Sequence, residues 1–250
     1  MRIAISQPTY LPWVGYFDLA DQVDGFVLLD NVQFEKRSWQ QRNRIKTPNG
    51  LSWLTVPVAV HGRYEQLIKD AEISETRFAH KHLRALETNY ARAQCLSTYF
   101  PRVSAILSEC PPGGRLLDLN LSLLRWLMEV LGVRTPLTLA SELGQEGKRT
   151  ELLANICRRM GAKQYVSPLG SAAYLLEEMK IMTDCGVDVV FQNYEHPTYR
   201  QLFPPFVPYA CVLDLIFNEG DCSMEIIRSG RRDPLLPRDV AARAAETQKA

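Results

Sequence analysis

The sequence has little of what most readily assigns a function. Charge nearly cancels, with 29 Lys and Arg against 28 Asp and Glu, so no general affinity for nucleic acid is expected. No apolar run approaches the ~18 residues that a membrane-spanning helix needs. The opening "MRIAISQP" lacks the basic-then-apolar build of a secretory leader. Six cysteines occur, at 95, 110, 157, 185, 211 and 222, and none forms a CxxC pair. That spacing argues against a disulfide framework and predicts reduced, mostly buried thiols in a cytoplasmic protein. There are four histidines. His80 and His82 lie two apart on a predicted helix and so face different sides, which gives no zinc pair and no expected metal site. No GxxxxGK phosphate loop, internal repeat or low-complexity tract is present.

What is present is an alternation of short apolar segments. "RIAIS" (Arg2 to Ser6) reads as a buried strand. A Pro-bounded loop follows, then Phe17, Leu19, Ala20 and Val23 at helical spacing, then "FVLLD", a second strand ending at Asp30. A strand–loop–helix–strand unit of this kind opens a parallel sheet. "LSWLTVPVAV", after a Pro-Asn-Gly turn, is a third strand candidate. Residues 75–90, 94–107 and 115–131 read as helices, forming a helical subdomain over about 75–132. Strands at 137–139, 164–166 and 187–191 then alternate with helices at 147–160 and 172–185. The fold predicted is a single α/β domain over 1–230, Rossmann-like, with a mostly parallel sheet and a helical insertion in the middle. Residues 231–250 read as a charged, flexible tail.

Four clusters carry candidate chemistry. The first loop, "QPTYLPWVGYF", follows the first strand, where α/β sheets bind ligands; it offers Gln7 and Tyr10, with Gly15 allowing close backbone approach. The second is the basic segment "EKRSWQQRNRIKTPNG", in an otherwise neutral chain. Arg37, Arg42 and Lys46 suit phosphate or carboxylate, Trp39 a base or sugar ring, and Gln33, Gln40, Gln41 and Asn43 directional hydrogen bonds. Asp30 and Asn31 stand at the strand end just before it. A solvated surface loop is the alternative for this segment. The third cluster is Lys148, Arg149 and Thr150 at a helix start, an anion-binding arrangement. In the fourth, "NYEHPTYRQLFPPF", His196 is a general acid or base near neutral pH, and Tyr194 and Tyr199 orient a substrate. Asp214 and Asn218, four apart, fall on one helix face.

Taken together, "ISQPTYLPWVGYF", "LLDNVQFEKRSWQQRNRIKTPNGLSWLTVPV", "GKRTELL", "YEHPTYRQLFPPF" and "LDLIFNEG" resemble the WbqC-like protein family over nearly the whole chain, from Met1 to about Gly220. The resemblance implies a setting in bacterial surface-polysaccharide synthesis, notably O-antigen (lipopolysaccharide) assembly. It also implies acyl or aminoacyl transfer, such as glycyl, onto an amino sugar. "PWVGY" further resembles, by position, the HxGH of class I nucleotidyltransferase-like folds. Trp13 and Tyr16 stand where that motif has its histidines, and neither donates as an imidazolium does.

The expected function is therefore a transferase acting on a nucleotide-linked amino sugar, with His196 or Asp30 taking the proton from the attacking amine. The acyl donor is either an acid activated by ATP or a thioester on an acyl or peptidyl carrier protein, and no nucleic-acid partner is expected. Two alternatives stay open: a non-catalytic nucleotide- or glycan-binding protein, and an ATP-dependent amide-forming or nucleotidyltransferase-like enzyme.

Overall fold

The computed structural model describes residues 1–247. Its strands are β1 (Arg2–Ser6), β2 (Gly25–Leu28), β3 (Arg42–Thr47), β4 (Gly50–Thr55), β5 (Leu137–Leu139), β6 (Gln164–Ser167) and β7 (Asp188–Phe191). Five of them form a parallel sheet in the order β5-β2-β1-β6-β7, and β3 and β4 pair separately as an antiparallel hairpin. The chain lays β2 and β5 to one side of β1, then returns to lay β6 and β7 on the other. That reversal makes a mixed α/β, Rossmann-like fold with a crevice at the carboxyl ends of β1 and β6.

Period-two alternation sorts the strand residues into two layers. Ala4, Phe26, Leu28, Val166 and Val190 pack on one face of the sheet. Ile3, Ile5, Val27, Tyr165, Val189 and Phe191 pack on the other. The first face is covered by α1 (Val14–Asp21), by α2 (Arg77–Tyr90), α3 (Leu96–Ser108) and α4 (Leu116–Val130), and, from later in the chain, by residues 212–229. The second is covered by α5 (Thr150–Arg159), α6 (Ala172–Glu177) and α7 (Met179–Asp184). Then come α8 (Val212–Glu219) and α9 (Ser223–Ser229) on the first face, and α10 (Pro237–Thr247) on the second. The hairpin and α2–α4 all lie in the insertion between β2 and β5.

Three local expectations change. The basic segment becomes strand from Arg42 to Thr47 rather than loop throughout. Asn43 and Ile45 are buried on one side of β3, while on the other Arg42 lies 4.1 Å over the Trp53 ring, so the apolar surface that supports the strand comes from β4. The helix expected from Gly147 begins at Thr150, because Gly147 and Arg149 both have positive φ (126° and 51°). The helix expected over 172–185 breaks at Glu178 into α6 and α7.

The segment read as a tail begins inside the fold. Arg231 pairs with Asp18 and Asp21, Leu235 exchanges backbone hydrogen bonds with Phe191, and Val240 is buried. Residues 248–250 of that tail lie outside the described residues. Among the described residues no helix is long and apolar enough to cross a membrane. The six cysteines are free thiols, with Cys157 and Cys211 buried and Cys222 exposed.

Candidate functional site

A cleft of about 770 Å³ opens at the reversal point of the sheet, a size suited to a small molecule. Ser6 and Gln7 reach it from the end of β1, Pro168 to Ser171 from the turn after β6, and Gln192 from just beyond β7. Gly15 and Tyr16 contribute from the start of α1. The facing wall is the hairpin side, with Trp39, Gln40, Asn43 and Arg44.

Arg44 is the one cation and Glu35 the one carboxylate among the described residues that line this cleft. The Arg44 guanidinium lies 5.4 Å from the ring centres of both Trp39 and Trp53, within cation–π range. Its Nε is buried without a hydrogen-bond partner, and no acid pairs with it among the described residues. Trp39 itself is 49% exposed, so a flat indole and an unneutralised guanidinium sit together at the cleft wall. Asn43 holds this wall in place by donating to the Leu11 carbonyl at 2.7 Å.

The remaining lining is rich in hydroxyls. Burial raises the phenols of Tyr16, Tyr165, Tyr174 and Tyr194 above the ordinary tyrosine value. All four stay neutral at physiological pH, and two are already used, Tyr16 donating to the Gln7 carbonyl and Tyr194 to the Ile227 carbonyl. Trp13 folds back over the start of α1, so a Cβ on Gly15 would lie 2.2 Å from its ring. The glycine expected to admit a ligand is filled by the protein's own indole.

Of the candidates read from the sequence, Gln7, Trp39, Asn43 and Tyr194 line the cleft. The proposed bases do not. Asp30 is fully buried and accepts from the Ser141 amide at 2.8 Å and the Ser141 hydroxyl at 2.6 Å, closing the turn after β5. His196 sits behind the cleft in an aromatic box. Its ring centre is 6.2 Å from Trp13, 5.2 Å from Tyr209 and 5.8 Å from Phe206. Its Nδ1 faces the Pro197 carbonyl at 2.9 Å, and burial lowers its pKa below the usual histidine value. It is a neutral, packed imidazole.

The other candidates serve the fold or the outer surface. Tyr10 bonds His82. Lys46 is buried and donates to the Pro205 carbonyl at 2.7 Å. Arg42 is spent on Trp53, Gln33 donates to the Tyr64 carbonyl, Asn31 is half-buried outside the cleft, and Arg37 is exposed. Asp214 accepts from Tyr90, Tyr199 and Gln201, and Asn218 donates back to the Asp214 carbonyl. At the start of α5 the protein supplies its own anion. Glu178 lies against Thr150 and 3.6 Å from Arg149, and Thr150 first, then Arg149, hold its carboxyl below the ordinary range. Lys148 is exposed beside them.

The sequence reading offered Gln40, which does line the cleft, but did not single out Arg44 or Tyr16, although it quoted the motifs that hold them. It also missed Gln192, Tyr165, Ser171, Tyr174 and Tyr209. One signal could have found Gln192: in a parallel sheet, the residue just past a strand's carboxyl end faces the ligand crevice, and Gln192 stands there as Gln7 does.

Comparison with known proteins agrees with the motif resemblance. The model of the WbqC-like protein family matches residues 7–226. The uncharacterized protein Rv1507c of Mycobacterium tuberculosis is 37% identical over 232 residues, covering 92% of this chain and 99% of that protein. No solved structure matches the chain.

Proposed function

Because the chain belongs to the WbqC-like protein family, we propose that it is a cytoplasmic transferase of bacterial surface-polysaccharide (O-antigen) assembly, which joins an acyl or aminoacyl group to a nucleotide-linked amino sugar. The observation that carries this reading is Arg44, an unpaired guanidinium beside the exposed Trp39 at the switch-point cleft. In this reading the guanidinium binds phosphate in its fork and the indole covers a base or sugar ring. The amine attacks the acyl carbon, the amide forms, and the thiolate or phosphate of the donor leaves. Only a neutral amine attacks. Glu35, the carboxylate at the cleft, takes the ammonium proton in place of His196 or Asp30. The donor is a carrier thioester or an ATP-activated acid.

A second reading, a non-catalytic nucleotide- or glycan-binding protein, is favoured by one observation: His196 and Asp30 both point their chemistry into the fold. The experiment is calorimetric titration with UDP- and dTDP-linked amino sugars and with ATP. Binding of at least one is expected, weakened about tenfold or more in Arg44→Ala through loss of a charge-assisted contact. No binding by any of them removes the transferase reading and the nucleotide-binding form of the second. Binding with turnover unchanged in Glu35→Gln removes the role given to Glu35.

A further inference from the structure

We infer that the cleft reads an amide: a ligand group carrying an N–H beside a C=O is held between Gln192 Oε1 and Gln7 Nε2. The inference rests on the proposed binding of a nucleotide sugar in this cleft and adds which part of that ligand is recognised.

The orientation of both glutamines is dictated by their partners. Gln192 is 7% exposed, and its Nε2 donates to the Gly15 carbonyl and to Asp18 Oδ2, each at 2.8 Å. A backbone carbonyl cannot donate, so the flipped amide would set oxygen against oxygen. Asp18, fully buried, is in turn fixed by Arg231 Nε at 2.8 Å. Both N–H groups of Gln192 are thus used inward. Its Oε1 receives no donor among the described residues, is not sealed inside, and belongs to a residue lining the cleft.

Gln7 is fixed by a relay. The Glu35 backbone N–H, which can only donate, meets Gln40 Oε1 at 3.1 Å. Gln40 Nε2 therefore faces Gln7 and donates to its Oε1 at 2.9 Å. That leaves Gln7 Nε2 with two donors and no acceptor among the described residues. The cleft so presents one acceptor and one donor, both neutral and both held by other groups. Both residues line the cleft, one just past the carboxyl end of β1 and the other just past that of β7, two strand spacings or about 10 Å apart along the sheet.

A free ammonium does not match this pair, since it has no acceptor for Gln7, and a lone hydroxyl, which both donates and accepts, meets the two glutamines only through a single oxygen. An adjacent N–H and C=O supplies each glutamine with its own atom. A nucleotide sugar has two sources of it: the uracil or thymine edge, and an N-acylamino substituent.

Two ligand pairs separate the sources on the wild-type protein by calorimetry. UDP against its N3-methyl derivative isolates the base edge; UDP-N-acetylglucosamine against UDP-glucose isolates the acylamino group. In one pair, the member bearing the complete amide is expected to bind about tenfold tighter or more, because a site built for a hydrogen bond discriminates against the ligand that lacks it. Gln7→Glu keeps the acceptor for Gln40 but turns the donor that meets the ligand carbonyl into an acceptor, and is expected to reduce that difference in the acylamino pair, whose members differ at the carbonyl, and to leave the N3-methyl pair, which differs only at the N–H facing Gln192, unchanged. Added charge weakens both members alike, so the ratio is the readout, with thermal unfolding checking that the variant folds. Equal affinity within both pairs overturns the amide reading and leaves nucleotide binding standing. No binding by any of the four overturns both.

Discussion

His82 is held neutral by its neighbours. Its Nδ1 faces the Tyr10 hydroxyl at 2.8 Å, and burial pushes its pKa down to about 4, against a smaller opposing effect of the Thr55 carbonyl. The folded value lies below that of the unfolded chain, near 6.5. The contribution to stability is therefore complete above about pH 6.5 and is lost as pH falls toward 4, amounting to at most about 3 kcal/mol. His82→Gln keeps an acceptor for Tyr10 without the titration. The urea midpoint of the wild type is expected to drop further than that of the variant between pH 7 and pH 4.5. Buried Asp18 and Asp214, whose pKa values burial raises, act with the opposite sign but are common to both proteins. Parallel pH profiles would refute the assignment. At this scale the sequence was least legible. Arg42, Arg44 and Lys46 alternate along one strand, yet one covers Trp53, one enters the cleft and one runs inward. Lys46 turns in because its acceptor, the Pro205 carbonyl, arrives from 159 positions away, which no local pattern encodes.

Among the elements, α1 depends on a single missing methyl group. The Trp13 indole occupies the space beside Gly15, 2.2 Å from where a Cβ would stand, and a ring cannot yield as a flexible chain end does. Gly15→Ala is expected to cost about 1–3 kcal/mol, as overpacking does. Gly170→Ala, at the other lip of the cleft with open space around its Cβ, is expected to change little. Denaturant titration of the two variants makes the comparison, and equal stability would mean the indole does not lie over α1. Strands β1, β2 and β7 were legible because three or more consecutive apolar residues, sorted to two faces, have few other uses. The strand "RNRIKT" was not. Its support is Trp53 and Trp39 on neighbouring segments, so its own residues show no alternation of apolar and polar. The start of α5 misled for a related reason: two cations at a helix start invite an external anion, and the answering carboxylate, Glu178, comes from the break between α6 and α7.

At the scale of the whole molecule, Asp214 joins parts that are far apart in the chain. Tyr90 at the end of α2 donates to it at 2.8 Å, and Tyr199 and Gln201 donate at 2.7 and 2.8 Å. The same Tyr90 hydroxyl accepts from the Lys46 amide in the hairpin. One carboxylate thereby fixes the helical insertion and the 199–207 loop to α8. Asp214→Ala leaves two buried hydroxyls without their acceptor, and Gln201 with only the Val207 carbonyl, and is expected to cost about 3–5 kcal/mol by chemical denaturation. Asp214→Asn, which retains an acceptor oxygen, is expected to cost less. Equal costs would show that the oxygen kept in Asp214→Asn does not serve the network, and no cost in either would show that the network holds nothing. The sheet order has a further consequence, for how the chain is made. β1 is the first of the described strands to be synthesised and lies in the middle of the sheet, between β2 and β6. Its flank toward β6 has no partner until Gln164 emerges. At ~5–20 residues per second, synthesis from Leu29 to Lys163 lasts on the order of ten seconds. For that interval a growing chain on the ribosome carries a bare, apolar strand edge open to neighbouring nascent chains, which makes early capture by a chaperone more valuable here than in a protein whose central strand is made last.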